Sequence, residues 1–193
     1  MEPGGHPRRC SRFAPARRPG RPRGEQRTSH LKPEAGSGVA RAVGSSDEIG
    51  GRELFVDDLH TIRDLGRVVW CQVSVPERTP AASGAAAAQR VGDYLIANVL
   101  QRRSSWLGLV LDVRRGPSVF GPITRAVTVR LLERAESASK PFAVLTAGNT
   151  TQHSQYATLA SAHAPRYGLV TADPQQAHDW MTMPRSVQRD AKP

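Results

Sequence analysis

Cysteine is scarce in this chain: Cys10 and Cys71 are the two among 193 residues. Neither their number nor their spacing makes a disulfide framework or a metal site. Cys71 stands inside an apolar run, where it reads as a small buried hydrophobe. Long apolar runs are missing too. None approaches the roughly 18 residues that cross a bilayer, so no membrane partner is expected. The basic N-terminus lacks the apolar segment of a secretory signal, which makes a reducing cytoplasm the expected location.

The motifs of several chemistries are also missing. Gly116, Gly121 and Gly148 do not cluster as a dinucleotide fingerprint requires, and there is no P-loop. The six histidines (His6, His30, His60, His153, His163 and His178) show no metal-ligand spacing. His153 and His163 lie too far apart on one predicted helix to form an i, i+4 pair. No nucleophile-elbow sequence supports a Ser/His/Asp arrangement. The expectation is a chain without a catalytic residue, metal or cofactor, and therefore not an enzyme.

What is abundant is positive charge, unevenly placed. The formal net charge is +10, from 27 Lys and Arg against 17 Asp and Glu. Residues 1–46 carry ten of the basic and three of the acidic side chains, so the remainder is close to neutral. Residues 1–47 are rich in Pro, Gly, Arg and Ser with no periodicity. Such a segment buries too little apolar surface to offset its ordering entropy, and it reads as a disordered tail. Nucleic acid is a conceivable partner only through residues 1–46, whose arginines suit phosphates. A start further along, near Val39 or Val43, is an alternative reading of the same stretch.

Beyond the tail, apolar runs alternate with helical periodicity. Trp106 to Leu111 is an apolar strand closed by Asp112. Ile123, Val127, Leu131 and Ala135 recur every four residues on one helix face, and Lys140-Pro141 ends that helix before the buried run Phe142 to Leu145. A strand, a crossover helix and a second strand make the unit of a parallel sheet. Upstream, Glu53 to Val56 is a first strand, Thr61 to Gly66 reads as a turn, and Val68 to Val75 reads as an edge or one-sided strand. Ala82 to Gln101 is a helix, whose alanine run Ala85 to Ala88 permits close approach to the sheet. Downstream, Asn149, Thr150 or Thr151 caps a helix that Pro165 ends. Tyr167 to Thr171 is a strand, and Asp173-Pro174 starts the last helix. The fold class is α/β, with mostly parallel strands and alternating helices over residues 48–182 and a loose tail over 183–193.

Sites in such sheets form outside the carboxyl ends of the strands. Asp112, Thr146, Gly148, Thr171 and Asp173 fall on that edge, beside the loop 113–122 and the turn 148–151. Free amides at the helix starts there favour anions. A phosphoacceptor domain of the receiver type would use Asp112 and Thr146. It would also need a Lys where Thr171 stands and an acidic pair in a different place from Asp57-Asp58.

Leu109-Val110-Leu111-Asp112, with the helix and strand that follow, resembles a STAS-like domain (sulphate transporter and anti-sigma factor antagonist). Asp112-Val113-Arg114 and Ala177-His178-Asp179-Trp180 are similar to patterns in small bacterial proteins of that type. The resemblance implies a STAS-like mixed sheet over about residues 65–182 and a regulatory, protein-binding role. Anti-sigma factor antagonists carry a phosphorylatable Asp-Ser-Ser-Gly or Asp-Thr-Ser-Gly after this strand. Here the place reads Pro117-Ser118-Val119-Phe120-Gly121-Pro122, with Ser118 three residues before Gly121, so phosphoswitching is not expected. The implied partner-binding face is Asp112, Arg114, Arg115, Ser118, Phe120 and Gly121 with Asn149 and Thr150. Phe120 either meets the partner or folds inward as a staple. The alternative functions are binding or turnover of a small anionic ligand at Asp112 and Thr150, and nucleic-acid tethering through the tail.

Overall fold

The computed structural model describes residues 50–184. The readings made of residues 1–47 and 185–193 lie outside the described residues. Ten elements follow one another: β1 (Arg52–Val56), β2 (His60–Asp64), β3 (Val68–Ser74), α1 (Ala81–Asn98), β4 (Gly108–Arg115), α2 (Pro122–Ala138), β5 (Phe142–Leu145), α3 (Thr150–His163), β6 (Gly168–Thr171) and α4 (Pro174–Thr182). The six strands form one sheet in sequence order, β1-β2-β3-β4-β5-β6. β1, β2 and β3 are an antiparallel meander, and β3 to β6 run parallel. The fold is therefore α/β with a mixed, mostly parallel sheet.

Two expectations need correction. The stretch expected to turn from Thr61 to Gly66 contains β2, with Ile62 opposite Cys71 and His60 opposite Val73. His-Thr-Ile-Arg-Asp has one apolar residue, so its alternation is invisible until Ile62 is seen at 0% exposure. β3 is not an edge strand but the third of six, and it joins the antiparallel and parallel halves.

Each parallel strand lies beside its predecessor, so right-handed crossovers put α1, α2 and α3 on one face of the sheet. The main core forms there, from Val69, Cys71, Leu109, Leu111, Phe142 and Val144 beneath Val91, Leu95, Leu131, Leu132 and Leu159. The opposite face carries a smaller core, in which Ala177, Trp180 and Met181 of α4 cover Val68, Trp70, Val110, Ala143 and Leu145. Thus the Ala-x-x-Trp pattern of the last helix is a packing device: Ala177 and Trp180 are buried, and Trp180 Nε1 donates to Tyr167 O at 3.2 Å.

The helix ends follow their sequence signals. Asn149 Oδ1 accepts from the amides of Thr151 and Gln152, and Asp173 Oδ1 accepts from Gln175 at 2.8 Å. After α2, Ser139 takes a left-handed conformation (φ 55°) and turns Lys140 inward. Lys140 is 2% exposed and its Nζ donates to Ser104 Oγ and to the Trp106 carbonyl (2.6 Å), which ties the end of α2 to the start of β4.

α1 and α2 come into close contact at Gly92. A Cβ built there falls 2.4 Å from Val127 Cγ1, so the small residue sets the separation of the two helices. Gly92→Ala should destabilise the chain by about 1–3 kcal/mol through overpacking, outweighing alanine's advantage of about 1 kcal/mol in helix propensity. Adding Val127→Ala should recover part of the loss. Denaturant melts test both; a Gly92→Ala chain at least as stable as the parent contradicts the close contact.

Candidate ligand-binding site

The structure divides the eight residues expected to meet a partner. On β4, Leu109, Leu111 and Val113 point into the main core, so the alternate residues Asp112 and Arg114 point to the opposite face. Asp112 is 2% exposed, and Arg114 grips it bidentately, Nε to Oδ1 at 2.9 Å and Nη2 to Oδ2 at 2.7 Å. That hydrogen bond raises the Arg114 pKa further above the usual guanidinium range. Asp112 is therefore an internal ion-pair partner, not an open contact or phosphoacceptor. Thr146 and Thr171, also expected at the edge, are buried and bonded internally: Thr146 Oγ1 to His153 Nδ1 and the Thr171 carbonyl, and Thr171 Oγ1 to Gln176.

Arg115, Ser118, Gly121, Asn149 and Thr150 are exposed at the carboxyl edge. Asn149 Nδ2 donates to Ser118 Oγ at 3.0 Å, which brings the 116–121 loop to the start of α3. The residue that fastens this loop is Gln152, which sequence reasoning did not single out. It is 2% exposed; its Nε2 donates to the carbonyls of Val113 (3.0 Å) and Pro117 (3.2 Å), and its Oε1 accepts from the Ala147 amide (3.1 Å). Phe120 is half-buried and packs on Tyr156 of α3, with ring centroids 4.9 Å apart. The outward apolar residues are instead Val119, 64% exposed, and Ile123, 51% exposed.

Behind this loop lies a cavity of about 480 Å³, which opens at the carboxyl edge between the first halves of α1 and α2. Val73, Leu111, Val113, Val127 and Leu131 give it apolar walls; Ala85 and Ala88 of α1 leave the volume free. The alanine run thus makes room for a cavity, while the close helix contact occurs further along at Gly92. Its size falls in the range of small-molecule pockets. Among the described residues lining it, none is Asp, Glu, Lys or Arg.

Three polar side chains in its wall, His60, Thr128 and Tyr156, are more than nine-tenths buried, and the Thr128 hydroxyl donates to the Thr124 carbonyl at 2.9 Å. His60 is 7% exposed; its Nδ1 lies 3.0 Å from Asp57 Oδ1, which also accepts the amides of Leu59 and His60, while Asp57 Oδ2 accepts from Arg90. Burial pushes Asp57 up, but these hydrogen bonds prevail and hold it below the usual carboxylate range. Nδ1 is therefore the donor, and Nε2 has no hydrogen-bond partner among the described residues. Burial pushes the His60 pKa down despite the upward pull of Asp57. Tyr156 is 5% exposed, its hydroxyl has no hydrogen-bond partner among the described residues, and burial pushes its pKa up. Cys71, which belongs to the same core, is pushed up to about 12 by burial and is not a reactive thiol. No group of three or more metal-ligating side chains occurs among the described residues.

No family model matches the chain, and no curated protein matches it. Among solved structures, the NMR structure of the protein TM1081 is similar at a TM-score of 0.47 and 12% identity, over 72% of this chain and 99% of that one. A likeness of that degree carries no functional argument.

The buried histidine yields a pH dependence. At neutral pH it is uncharged in both the folded and the unfolded chain and contributes nothing. As the pH falls through about 6.5, the unfolded chain takes up a proton that the folded chain resists, so stability falls until the folded pKa is passed. Urea melts at about pH 7 and about pH 5.5 should show this loss, and His60→Asn should reduce it. An undiminished loss in the variant contradicts the assignment.

Proposed function

We propose that residues 50–184 form a non-catalytic binding domain that encloses a small, mostly apolar molecule between α1 and α2. The observation that carries this reading is the apolar cavity at the carboxyl edge of the sheet. Ligand sites of α/β sheets concentrate at that edge, and pockets of this size bury most of a small molecule. The lining is mostly apolar, with no Asp, Glu, Lys, Arg, Ser or Cys among its described residues, which suits the binding of an apolar body.

A second reading joins the first. Val119 and Ile123 expose apolar surface on the loop and helix start that form the cavity's lip. This is the place where the resemblance to STAS-like anti-sigma factor antagonists implies a protein partner. A cytoplasmic regulatory domain whose partner surface responds to an occupied cavity accommodates both features. No helix among the described residues is long and apolar enough to cross a membrane.

Ala88 is half-buried and lines the cavity, so Ala88→Trp should fill it. Saturating 1-decanol or decanoate, each below its micelle concentration, should raise the Tm of the parent chain and leave that of Ala88→Trp unmoved. A parent chain stabilised by neither compound contradicts the reading.

A further inference from the structure

Helices α1 and α2 both begin at the cavity, and neither is capped there. Pro80 and Gly121 occupy the N-cap positions without a side-chain hydrogen bond, and neither first turn contains an acidic residue. The first amides to find helical carbonyls are those of Gly84 and Arg125, which donate to Pro80 and Gly121. The amides before them have no partner within their helices, and each helix start carries a partial positive charge. Ala81, Ala82, Ile123 and Thr124 of these first turns line the cavity, and no acidic side chain in its lining neutralises the field.

A separate observation asks for a ligand with a polar end. Tyr156 lines the cavity and is 5% exposed, and its hydroxyl has no hydrogen-bond partner among the described residues. A hydroxyl in an apolar wall with no partner in the protein is free to donate to a ligand acceptor. Its ring stacks on Phe120, next to the Gly121 N-cap of α2.

Resting on the cavity reading above, we infer that the occupant is a small amphiphilic carboxylic acid, such as a medium-chain fatty acid or an aromatic acid. Its apolar body lies among Val73, Leu111, Val127 and Leu131. Its carboxylate accepts hydrogen bonds from the first-turn amides and from the Tyr156 hydroxyl. A phosphate ester is the poorer fit, because it brings nearly two charges to a lining that has no lysine or arginine among the described residues.

Gly121 tests the position of the carboxylate. A Cβ there meets nothing within 4 Å and the backbone is extended (φ −72°, ψ 173°), so Gly121→Asp fits and caps α2. The added carboxylate would take the amides and repel a bound acid. Calorimetric titration of the full chain at neutral pH compares decanoate with 1-decanol. The parent chain should bind decanoate about tenfold more tightly. Gly121→Asp should abolish that preference without weakening decanol. Tyr156→Phe should weaken decanoate by about fivefold to tenfold and leave decanol unchanged. Decanol binding as tightly as decanoate to the parent, or a preference that survives in both variants, overturns the inference and leaves the cavity reading standing. Binding of neither compound overturns both.

Discussion

Three helices share one face of the sheet because each parallel strand is laid beside the one before it. Right-handed crossovers permit no other placement, and most other features of the domain follow from it. The crowded face receives the large apolar residues of β3, β4 and β5, and among the described residues the opposite face has α4 alone as its helical cover. Helices α1 and α2 run side by side and start at the carboxyl edge. They touch at Gly92 and Val127. Towards their starts α1 presents Ala85 and Ala88, which are too small to fill the space that contact leaves. The cavity is thus what remains when two helices are held at a fixed distance and one of them lacks large side chains.

Polar groups at the carboxyl edge are mostly committed to the protein itself. Asp112 is held by Arg114, Asp57 by His60 and Arg90, and Thr146 and Thr171 by their neighbours; the carbonyls of Val113 and Pro117 accept from Gln152. These bonds fasten the 116–121 loop to the end of β4 and the start of α3. Among the described residues, Tyr156 Oη, His60 Nε2 and the first amides of α1 and α2 have no such partner, and they belong to residues that border the cavity or its mouth. One exception lies elsewhere: Trp70 Nε1, in the smaller core under α4, is buried without a partner among the described residues, and the structure offers no reason for it.

The sequence discloses the parallel half of the fold because its strands are apolar runs rich in Val and Leu, and its helices repeat apolar residues every three to four positions. Pro and Asn or Asp at the helix boundaries act where they stand. β2 escapes notice because only Ile62 marks its inward face. The loop 113–122 and the turn at Asn149 are correctly brought together by pattern. The direction of each side chain is not legible until the register of β4 is known. That register sends Asp112 away from the loop, and the ring of Tyr156 draws Phe120 inward, so Val119 and Ile123 remain as the exposed apolar pair. The cavity has no local signature, because its volume depends on a helix separation fixed by one glycine.

The central claim is that the space between α1 and α2 receives an amphiphilic ligand. Methyl NMR of the full chain during titration with decanoate tests it most directly. The account predicts saturable shifts at Val73, Leu111, Val113, Val127 and Leu131, whose side chains line the cavity, with none at the exposed Val56 on the far edge of the sheet. Shifts that are absent, or that appear at Val56 while the cavity methyls stay unmoved, would contradict it.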